Sequence, residues 1–490
     1  LLAAATPATG QAPYAGCSVP EAEAEVCPSV TDLAGSVALG ISGDGTTAVG
    51  FLPRDQREPP IPMRWVNGIP VSMGPLPEGV RGGQANAASE DGSVIVGFLD
   101  FPRSLAAFRW ENGAFEVLPR LSESSVAVDV SADGLTVLCQ EVELDDQLGG
   151  LVSRGISVWR DGELTRITDS GSASAISADG SVIVGSFDGP ALWFDGTLVA
   201  LPLAAGFDGG NATGISASGT IVVGVARGPA ENRAVRWEGD SMTPLDDVGS
   251  GSEWLHTYAL DVSADGSIIV GSGTSRDTAT EPFVWDEEFG LRRLFDVLSN
   301  ELGLGVSDFD FGLALAVSDD GRVIVVLASP EPFIADITSP VGIDIVPGSD
   351  TNVIELTRDR LVSVQIFGTQ LLDVDDINVD VLAFGPYAAP VEHVFHPSDA
   401  NGDGYLDLEV RFETGETGIA AGDTEACLSG RAMGLPFEVC GPIEATLFGF
   451  GPGTEVPGCG RGFEGALALP ALLLWWRRRG RSACHGRIWR

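Results

Sequence analysis

One motif recurs seven times along the 490-residue chain, and this repetition constrains the fold more than any other feature. The motif reads apolar-Ser-x-Asp-Gly-Ser-x-x-Val-Gly, and successive copies of its first serine lie 39 to 55 residues apart. These serines are Ser42, Ser89, Ser131, Ser177, Ser216, Ser263 and Ser318. A period of about 45 residues built from short strands is the size of one blade of a β-propeller. The motif therefore predicts an all-β fold with a propeller of seven blades.

Each copy of the motif has the chemistry of a hairpin turn. Serine and aspartate side chains form hydrogen bonds with nearby turn amides, and the glycine takes the positive φ that closes the turn. A second hairpin follows, with turns such as Trp65-Val66-Asn67-Gly68 and Trp159-Arg160-Asp161-Gly162. Asn-Gly and Asp-Gly are strong hairpin signals because both residues need positive φ. Two hairpins in each repeat predict four strands in each blade.

The seventh repeat is incomplete, since no outer strand follows residues 332–336 before Pro340. Residues 30–33, just before the first motif, resemble the outer ends of other repeats. We therefore expect the N-terminal strand to pair into the last blade. Such pairing closes the ring and removes a free sheet edge.

A tryptophan recurs once in most repeats, at the start of the second hairpin. Aromatic rings of this kind stack on sugars in many binding sites, so a ligand-binding role is one interpretation. A residue that recurs at the same place in each blade is more typical of packing between blades, and we expect packing.

The seven repeats resemble the HAF-type extracellular repeats of bacterial surface and secreted proteins, over residues 30 to 337. The resemblance implies a propeller on an exported protein. It implies no particular activity, because one fold carries many functions.

A different β pattern begins after Pro340, with strand-like segments such as residues 361–366. Together with the acidic loop at residue 399 and residues 422–425, it resembles a β-sandwich module appended to secreted bacterial repeat proteins. The resemblance covers residues 341–449 and implies a small β-sandwich domain after the propeller.

The acidic loop of this module matches the first part of an EF-type calcium loop. Its expected ligand positions are Asp399, Asn401, Asp403, the Tyr405 carbonyl and Asp407. Position 12 is Val410 rather than the usual glutamate, so the missing ligand would come from Glu409, Asp423 or water. We expect a structural Ca²⁺, with an ion-free Asx-rich hairpin as the alternative.

The cysteines fit an oxidising compartment. Cys17 with Cys27, and Cys427 with Cys440, each close a short loop, so each pair is a candidate disulfide. Cys139 replaces the glycine of the repeat and is expected to be a buried free thiol. Sequence alone leaves the pairing open.

The two ends of the chain resemble export signals. The opening Leu-Leu-Ala-Ala-Ala is typical of the end of a signal peptide, with a frayed apolar terminus as the alternative. Near the other end, the apolar residues 465–476 run directly into three arginines. With Cys459 before them, they resemble the C-terminal sorting tails of the MYXO-CTERM group. The resemblance implies export to the cell surface and attachment through Cys459; a buried C-terminal helix with a basic end is the alternative.

These observations divide the chain into four expected parts. They are a leader at residues 1–25, the propeller at 26–339, the β-sandwich with its calcium loop at 340–450, and a linker with the apolar segment and sorting tail at 451–490.

The net charge of −41 makes nucleic-acid binding by this chain very unfavourable. We expect a monomer that touches a membrane only through its tail. With four histidines and no Gly-x-Ser-x-Gly elbow, phosphate loop or metalloprotease helix, the sequence favours a binding or structural module over an enzyme. Its expected partner is an extracellular polysaccharide or protein. The alternative is a secreted carbohydrate-active enzyme, a glycosidase or lyase, with its site on the propeller face.

Overall fold

Two short strands open the part of the chain that the structure describes, β1 (Ala24–Val26) and β2 (Ser29–Asp32). The structure is a computed structural model. It describes residues 24–33, 35–54, 58–145, 150–229, 231–246, 254–275, 280–306, 311–329, 331–349, 351–356 and 361–446.

Seven four-stranded antiparallel sheets follow one another along the described chain and form the blades of a propeller. In the first six blades the chain runs from the innermost strand to the outermost strand. The strands of blades 1 to 3 are β3 (Val37–Ile41), β4 (Thr47–Leu52), β5 (Ile61–Val66) and β6 (Ile69–Val71); β7 (Gly82–Ala88), β8 (Val94–Phe101), β9 (Ser104–Glu111) and β10 (Ala114–Val117); and β11 (Ser124–Val130), β12 (Thr136–Asp145), β13 (Gly150–Arg160) and β14 (Glu163–Thr168).

The strands of blades 4 to 6 are β15 (Ser172–Ile176), β16 (Val182–Ser186), β17 (Pro190–Phe194) and β18 (Thr197–Ala200); β19 (Gly209–Ile215), β20 (Ile221–Arg227), β21 (Asn232–Glu238) and β22 (Ser241–Pro244); and β23 (Trp254–Val262), β24 (Ile269–Ser275), β25 (Thr280–Asp286) and β26 (Gly290–Arg293). A short helix, α1 (Leu294–Asp296), continues into a π-helical turn (Val297–Glu301) after blade 6. The all-β, seven-bladed prediction is confirmed.

Blade 7 is completed by the N-terminal strand. Its first three strands are β27 (Phe311–Val317), β28 (Val323–Ser329) and β29 (Phe333–Asp336), and β2 pairs antiparallel with β29. The register places Val30 opposite Ala335 and Thr31 opposite Ile334. The predicted ring closure is therefore confirmed, and the last blade has four strands like the other six.

A glycine ends the motif in five of the seven blades, while blade 7 has Val326 there, and this glycine has a steric reason. Every inner strand carries a β-bulge, and in blade 1 the bulge presses the Val37 carbonyl against Gly50. A Cβ built on Gly50 would lie 2.0 Å from that oxygen, so only glycine fits without a shift of the backbone. Blade 3 carries Cys139 at this position, fully enclosed by the sheet.

The second domain is a sheet of eight strands that curls around one core like a barrel. Its strands, in chain order, are β1, β30 (Val341–Ile345), β32 (Leu361–Phe367), β33 (Ala383–Phe384), β34 (Ala389–Val394), β35 (Leu408–Glu413), β36 (Glu425–Ala432) and β37 (Leu435–Pro442). Two further strands pair in parallel beside it, β31 (Val353–Glu355) and β38 (Glu444–Thr446), and two 3₁₀ turns cover Val374–Asp376 and Val379–Val381.

The core of this domain lies between the two halves of the curled sheet. Val364 and Phe412 from one half pack with Phe384, Leu428 and Val439 from the other, and all are buried. The Phe384 and Phe412 rings stack with their centroids 5.2 Å apart. The two facing layers expected of a sandwich are thus joined here into one sheet.

Strand β1 belongs to this second sheet, where it pairs with β30. The sequence placed residues up to 25 in a leader, because a three-residue segment carries no periodicity of its own. The described part of the chain therefore begins in the second domain at Ala24, continues into blade 7 through β2, and returns to the second domain after β29.

The turn between β36 and β37 docks against the propeller. Met433 and Leu435 are buried with Leu294 and Leu298 beside blade 6. The Arg292 guanidinium donates to the Met433 carbonyl at 3.2 Å. These contacts join the two domains over an apolar patch with a polar edge.

Candidate functional site

The motif serines and aspartates serve as turn residues. Ser131 donates from Oγ to Asp133 at 2.6 Å and accepts the Thr136 amide at 2.9 Å. Asp133 also accepts the Leu135 amide at 2.9 Å. The Ser131 hydroxyl and the Leu135 amide hold the pKa of Asp133 below its ordinary value. The same contacts recur around the ring, with serine in place of aspartate in blade 5, so the repeated aspartates are not candidate catalysts.

The variable residue of each motif forms a closed belt of backbone hydrogen bonds around the ring axis. In each link the amide of one blade donates to a carbonyl of the next blade. The seven links are Asp44 to Glu90, Glu90 to Ala132, Ala132 to Ala178, Ala178 to Ala217, Ala217 to Ala264, Ala264 to Asp319 and Asp319 to Gly43, with distances of 2.8 to 3.2 Å. The motif thus holds both its own turn and the neighbouring blade.

A cavity of about 130 Å³ lies on the axis at this belt. Four carboxylates line it: Glu90 and Asp319 in the belt, and Asp129 and Asp261 on the inner strands of blades 3 and 6. Sequence analysis did not single out these residues. Their positions in the repeat could have identified them. Glu90 and Asp319 directly follow the motif serine, and Asp129 and Asp261 stand two residues before it.

Asp129 and Asp261 use both carboxylate oxygens as acceptors, and one oxygen of each reaches the neighbouring blade. Asp129 accepts its neighbour Val130 N at 2.8 Å and Ile176 N of blade 4 at 2.9 Å. Asp261 makes the same pair of contacts at 2.9 Å, the second with Val317 N of blade 7. Burial raises the pKa of Asp129 to about 6 and that of Asp261 to about 7.

Asp129 and Asp261 have pKa values that would suit general acid–base catalysis, but their surroundings differ from those of a carboxylate pair that acts on one bond. The two shifted aspartates lie on blades 3 and 6 of the ring rather than on neighbouring strands. Among the described residues that line the cavity, none is an arginine. General acid–base catalysis needs the groups to be within reach of one substrate bond, and these carboxylates face backbone amides.

Most of the recurring tryptophans pack between blades, as predicted. Each of five tryptophans contacts an apolar residue from the linker that precedes its blade. The pairs are Trp65 with Leu33, Trp110 with Met73, Trp159 with Leu118, Trp237 with Leu201 and Trp285 with Leu245. Trp110 and Trp237 also donate from the indole N–H to linker carbonyls at 2.7 Å.

Trp193 in blade 4 departs from this arrangement. It is only half-buried, and with the exposed Phe194 it lines a groove of about 660 Å³ between blades 3 and 4. The other wall of the groove carries Arg160, Glu163 and Thr165 from blade 3. Sequence reasoning grouped Trp193 with the packing residues.

The predicted calcium loop lies between β34 and β35. Asp399 accepts the Gly402 amide at 2.7 Å, and Asp403 accepts the Tyr405 amide at 2.9 Å while receiving a hydrogen bond from the Asn401 side chain at 3.1 Å. These side chains lie together on one exposed turn. Tyr405 itself is 41% exposed.

Asp407, the last predicted ligand, is buried and faces the backbone. Its carboxylate accepts Ala400 N at 2.7 Å and Gly368 N at 3.0 Å. Burial raises the pKa of Asp407 above its ordinary value. Within the described ranges, no three His, Cys, Asp or Glu side chains are grouped so that they could hold a metal ion. A calcium ion here would have to rely on Asn401 and on backbone carbonyls as well.

The structure joins Cys427 and Cys440 in a disulfide across β36 and β37. Cys27 is also disulfide-bonded, while Cys17, its predicted partner, and Cys459, the predicted anchor, lie outside the described residues. Cys139 is a buried free thiol, and burial raises its pKa far above the usual range. The described part of the chain contains no helix long and apolar enough to cross a membrane.

No protein-family model and no curated protein sequence matches this chain. Several solved structures resemble it in fold. They include oligogalacturonate lyase from Vibrio parahaemolyticus, with 11% identity and a TM-score of 0.42, over 66% of this chain and 92% of the lyase. The β-propeller domain of the Trilobed protease from Pyrococcus furiosus has 13% identity and a TM-score of 0.38, over 53% of this chain and 81% of that domain. TolB from Acinetobacter baumannii has 12% identity and a TM-score of 0.32, over 50% of this chain and 64% of TolB.

Proposed function

We propose that this chain is an exported bacterial propeller that acts as a binding module outside the cell or on its surface. The observation that carries the proposal is the use of the axial carboxylates. Asp129 and Asp261 each accept the amide of the next residue with one oxygen and an amide of the adjacent blade with the other. Residues used in this way support a rigid ring that presents binding surfaces.

The proposed location outside the cytoplasm has separate support. The Cys427–Cys440 disulfide is typical of oxidising compartments. The repeats resemble HAF-type extracellular repeats, and the tail around Cys459 resembles a bacterial sorting signal. Mass spectrometry of the mature protein from cells would test this, because we expect a processed C terminus at or near Cys459 that the Cys459→Ser variant lacks.

The alternative is a secreted glycosidase or lyase with its site on the axis. The raised pKa of Asp129 and of Asp261 favours it, because shifted carboxylates mark many acid–base sites. Their contacts with backbone amides favour the binding role instead.

One experiment separates the two functions. The purified full chain is incubated with a panel of polysaccharides, and both retention of the protein and release of reducing or unsaturated ends are measured. We expect binding without products. Products that disappear in Asp129→Asn or Asp261→Asn, while the control variant Glu116→Gln, at an exposed position of blade 2, still forms them, would establish the enzyme and overturn the binding proposal.

We also propose calcium as a structural ion of the second domain. The exposed oxygens of Asp399, Asn401 and Asp403 lie on one turn beside the Tyr405 carbonyl, which suits a hard cation with oxygen ligands. Asp407 would support the loop through its backbone contacts. Its effect on stability is predicted in the Discussion.

A further inference from the structure

A short linker joins blades 3 and 4, next to Trp193 of blade 4. Only Asp169, Ser170 and Gly171 separate β14 from β15, the shortest connection between blades. At the equivalent place, Leu118 covers Trp159 and Leu201 covers Trp237. Before blade 4, Ile167 from the end of β14 packs in one cluster with Trp193, and Trp193 remains half-buried and lines the groove.

The groove therefore has an aromatic side. Trp193 and Phe194 are adjacent on β17 and both line it, and Phe194 is 51% exposed. Nearby on the outer strand of the same blade, Leu198 and Val199 are each 46% exposed. Exposed aromatic and apolar groups that are grouped beside polar residues mark binding surfaces more often than single scattered ones do.

The polar groups of the groove include both donors and acceptors. Arg160 is held in place by hydrogen bonds from Nε to Thr136 Oγ1 at 2.9 Å and from Nη2 to the Gly180 carbonyl at 3.1 Å. Thr165 adds a hydroxyl on the same wall, and Glu163 and Asp195 add carboxylates. Carboxylates accept only, guanidinium donates only, and hydroxyls do both.

We infer that this groove binds a neutral polysaccharide, with one sugar face against Trp193 and its hydroxyls bonded to the blade 3 wall. The inference rests on the proposed binding function and names its site and ligand class. A sugar carries an apolar C–H face and a rim of hydroxyls that each donate and accept. The groove presents an aromatic surface next to donors and acceptors, which matches both features.

Charge selects a neutral ligand over an anionic one. The groove holds one cation, Arg160, against the carboxylates of Asp161, Glu163 and Asp195. The whole chain carries a net charge of −41, so uronic-acid or sulfated polymers are repelled. A cationic peptide would meet the fixed guanidinium of Arg160 on the groove wall.

The test measures binding of the full chain to neutral oligosaccharides by calorimetry. The probes are hexamers of β-1,4-glucose, α-1,4-glucose, β-1,3-glucose and β-1,4-mannose, with a galacturonic-acid hexamer and an arginine-rich peptide as charged controls. We expect at least one neutral hexamer to bind, with an affinity that changes little between low and high salt, because no ion pair is involved.

Variants locate the site. Phe194→Ala and Glu163→Gln change exposed groove residues and should weaken binding, and Trp193→Ala should weaken it about tenfold or more, as truncation of an aromatic contact commonly does. Trp193→Phe should restore part of the affinity. Tyr387→Ala removes a 78% exposed ring far along the chain in the second domain and serves as the matched control with unchanged affinity. Melting curves exclude loss of fold as the cause.

Each other outcome overturns the inference. Binding of the charged probes alone, binding unaffected by Phe194→Ala and Glu163→Gln, or no binding of any neutral hexamer would remove the ligand class or the site. Binding of some other extracellular ligand with the groove variants unaffected would still leave the proposed binding function standing. Cleavage of a probe would instead overturn that function.

Discussion

Closure of the ring by the N-terminal strand makes a prediction at Leu33. This side chain is 2% exposed and packs with Trp65 and Val325 in the seam between blades 7 and 1. Its amide also donates to the Pro332 carbonyl at 3.2 Å, next to the β2–β29 pairing. Leu33→Ala leaves a cavity in this seam, which costs about 2–5 kcal/mol for a buried leucine. At roughly 2 °C per kcal/mol for a domain of this size, the melting temperature should fall by roughly 4–10 °C.

Leu118→Ala is the matched control, because Leu118 is also 2% exposed and covers Trp159 in the seam between blades 2 and 3. Both variants should lose similar stability in calorimetry. Hydrogen exchange should separate them: Leu33→Ala should lose protection in β2 and β29, since only non-covalent pairing holds β2 in blade 7. Leu118→Ala should leave β2 protected. A Leu33→Ala protein that melts like the wild type, or that exchanges equally in both seams, would refute the closing role of β2.

Three further predictions concern the motif, the metal and pH. Ser89→Ala removes a buried hydroxyl and leaves the Val94 amide without its side-chain acceptor, so the free energy of unfolding in denaturant should fall by about 1–3 kcal/mol. The exposed Ser93→Ala should lose much less stability, and equal losses in the two variants would contradict the turn role of Ser89. If calcium binds the acidic loop, EDTA should lower the melting temperature of the full chain, because calcium at a hundredfold excess over Kd adds about 2.7 kcal/mol to the free energy of unfolding. Asp403→Ala should abolish this response. Identical melting curves with EDTA and with calcium would rule the ion out. Because the pKa of Asp129 is raised to about 6 and that of Asp261 to about 7 from an ordinary 3.8, the folded state keeps protons that the unfolded state releases. The contribution of these two groups to the free energy of unfolding is therefore largest below pH 4 and is lost as pH rises through about 7, by on the order of a few kcal/mol. Urea titrations across this range should show that the unfolding free energy of the wild type falls with pH and that of the Asp129→Asn, Asp261→Asn double variant falls less steeply. Equal slopes for the two proteins would contradict the raised pKa values.

The sequence predicts the blades well because their signals are local. In the second hairpins, Asn67, Asn112, Asp161 and Asp195 all have positive φ, as the Asn-Gly and Asp-Gly turns require. A turn of this kind is determined by two adjacent residues, so it can be recognised without knowledge of the rest of the chain. The count of blades then follows from the count of motifs.

Contacts between distant parts of the chain are less accessible to sequence reasoning. Strand β1 is three residues long and gains its place only by pairing with β30, more than three hundred residues later. The roles of Asp129 and Asp261 depend in the same way on amides of the next blade. In each case the residue or strand acquires its partner only when the whole chain has folded, so the local sequence does not identify that partner.

The repeat explains where such a propeller can carry a function of its own. A side chain that occurs in every blade is committed to the packing or turn that all blades share, so binding chemistry has to come from departures from the repeat. The groove is one departure, since the half-buried Trp193 and the exposed Phe194 line it together beside polar side chains of blade 3. The axial aspartates are another, but their oxygens are engaged by the ring. Trp193 and Phe194 present aromatic surface next to polar groups, and for this reason we place the ligand between blades 3 and 4 rather than on the axis.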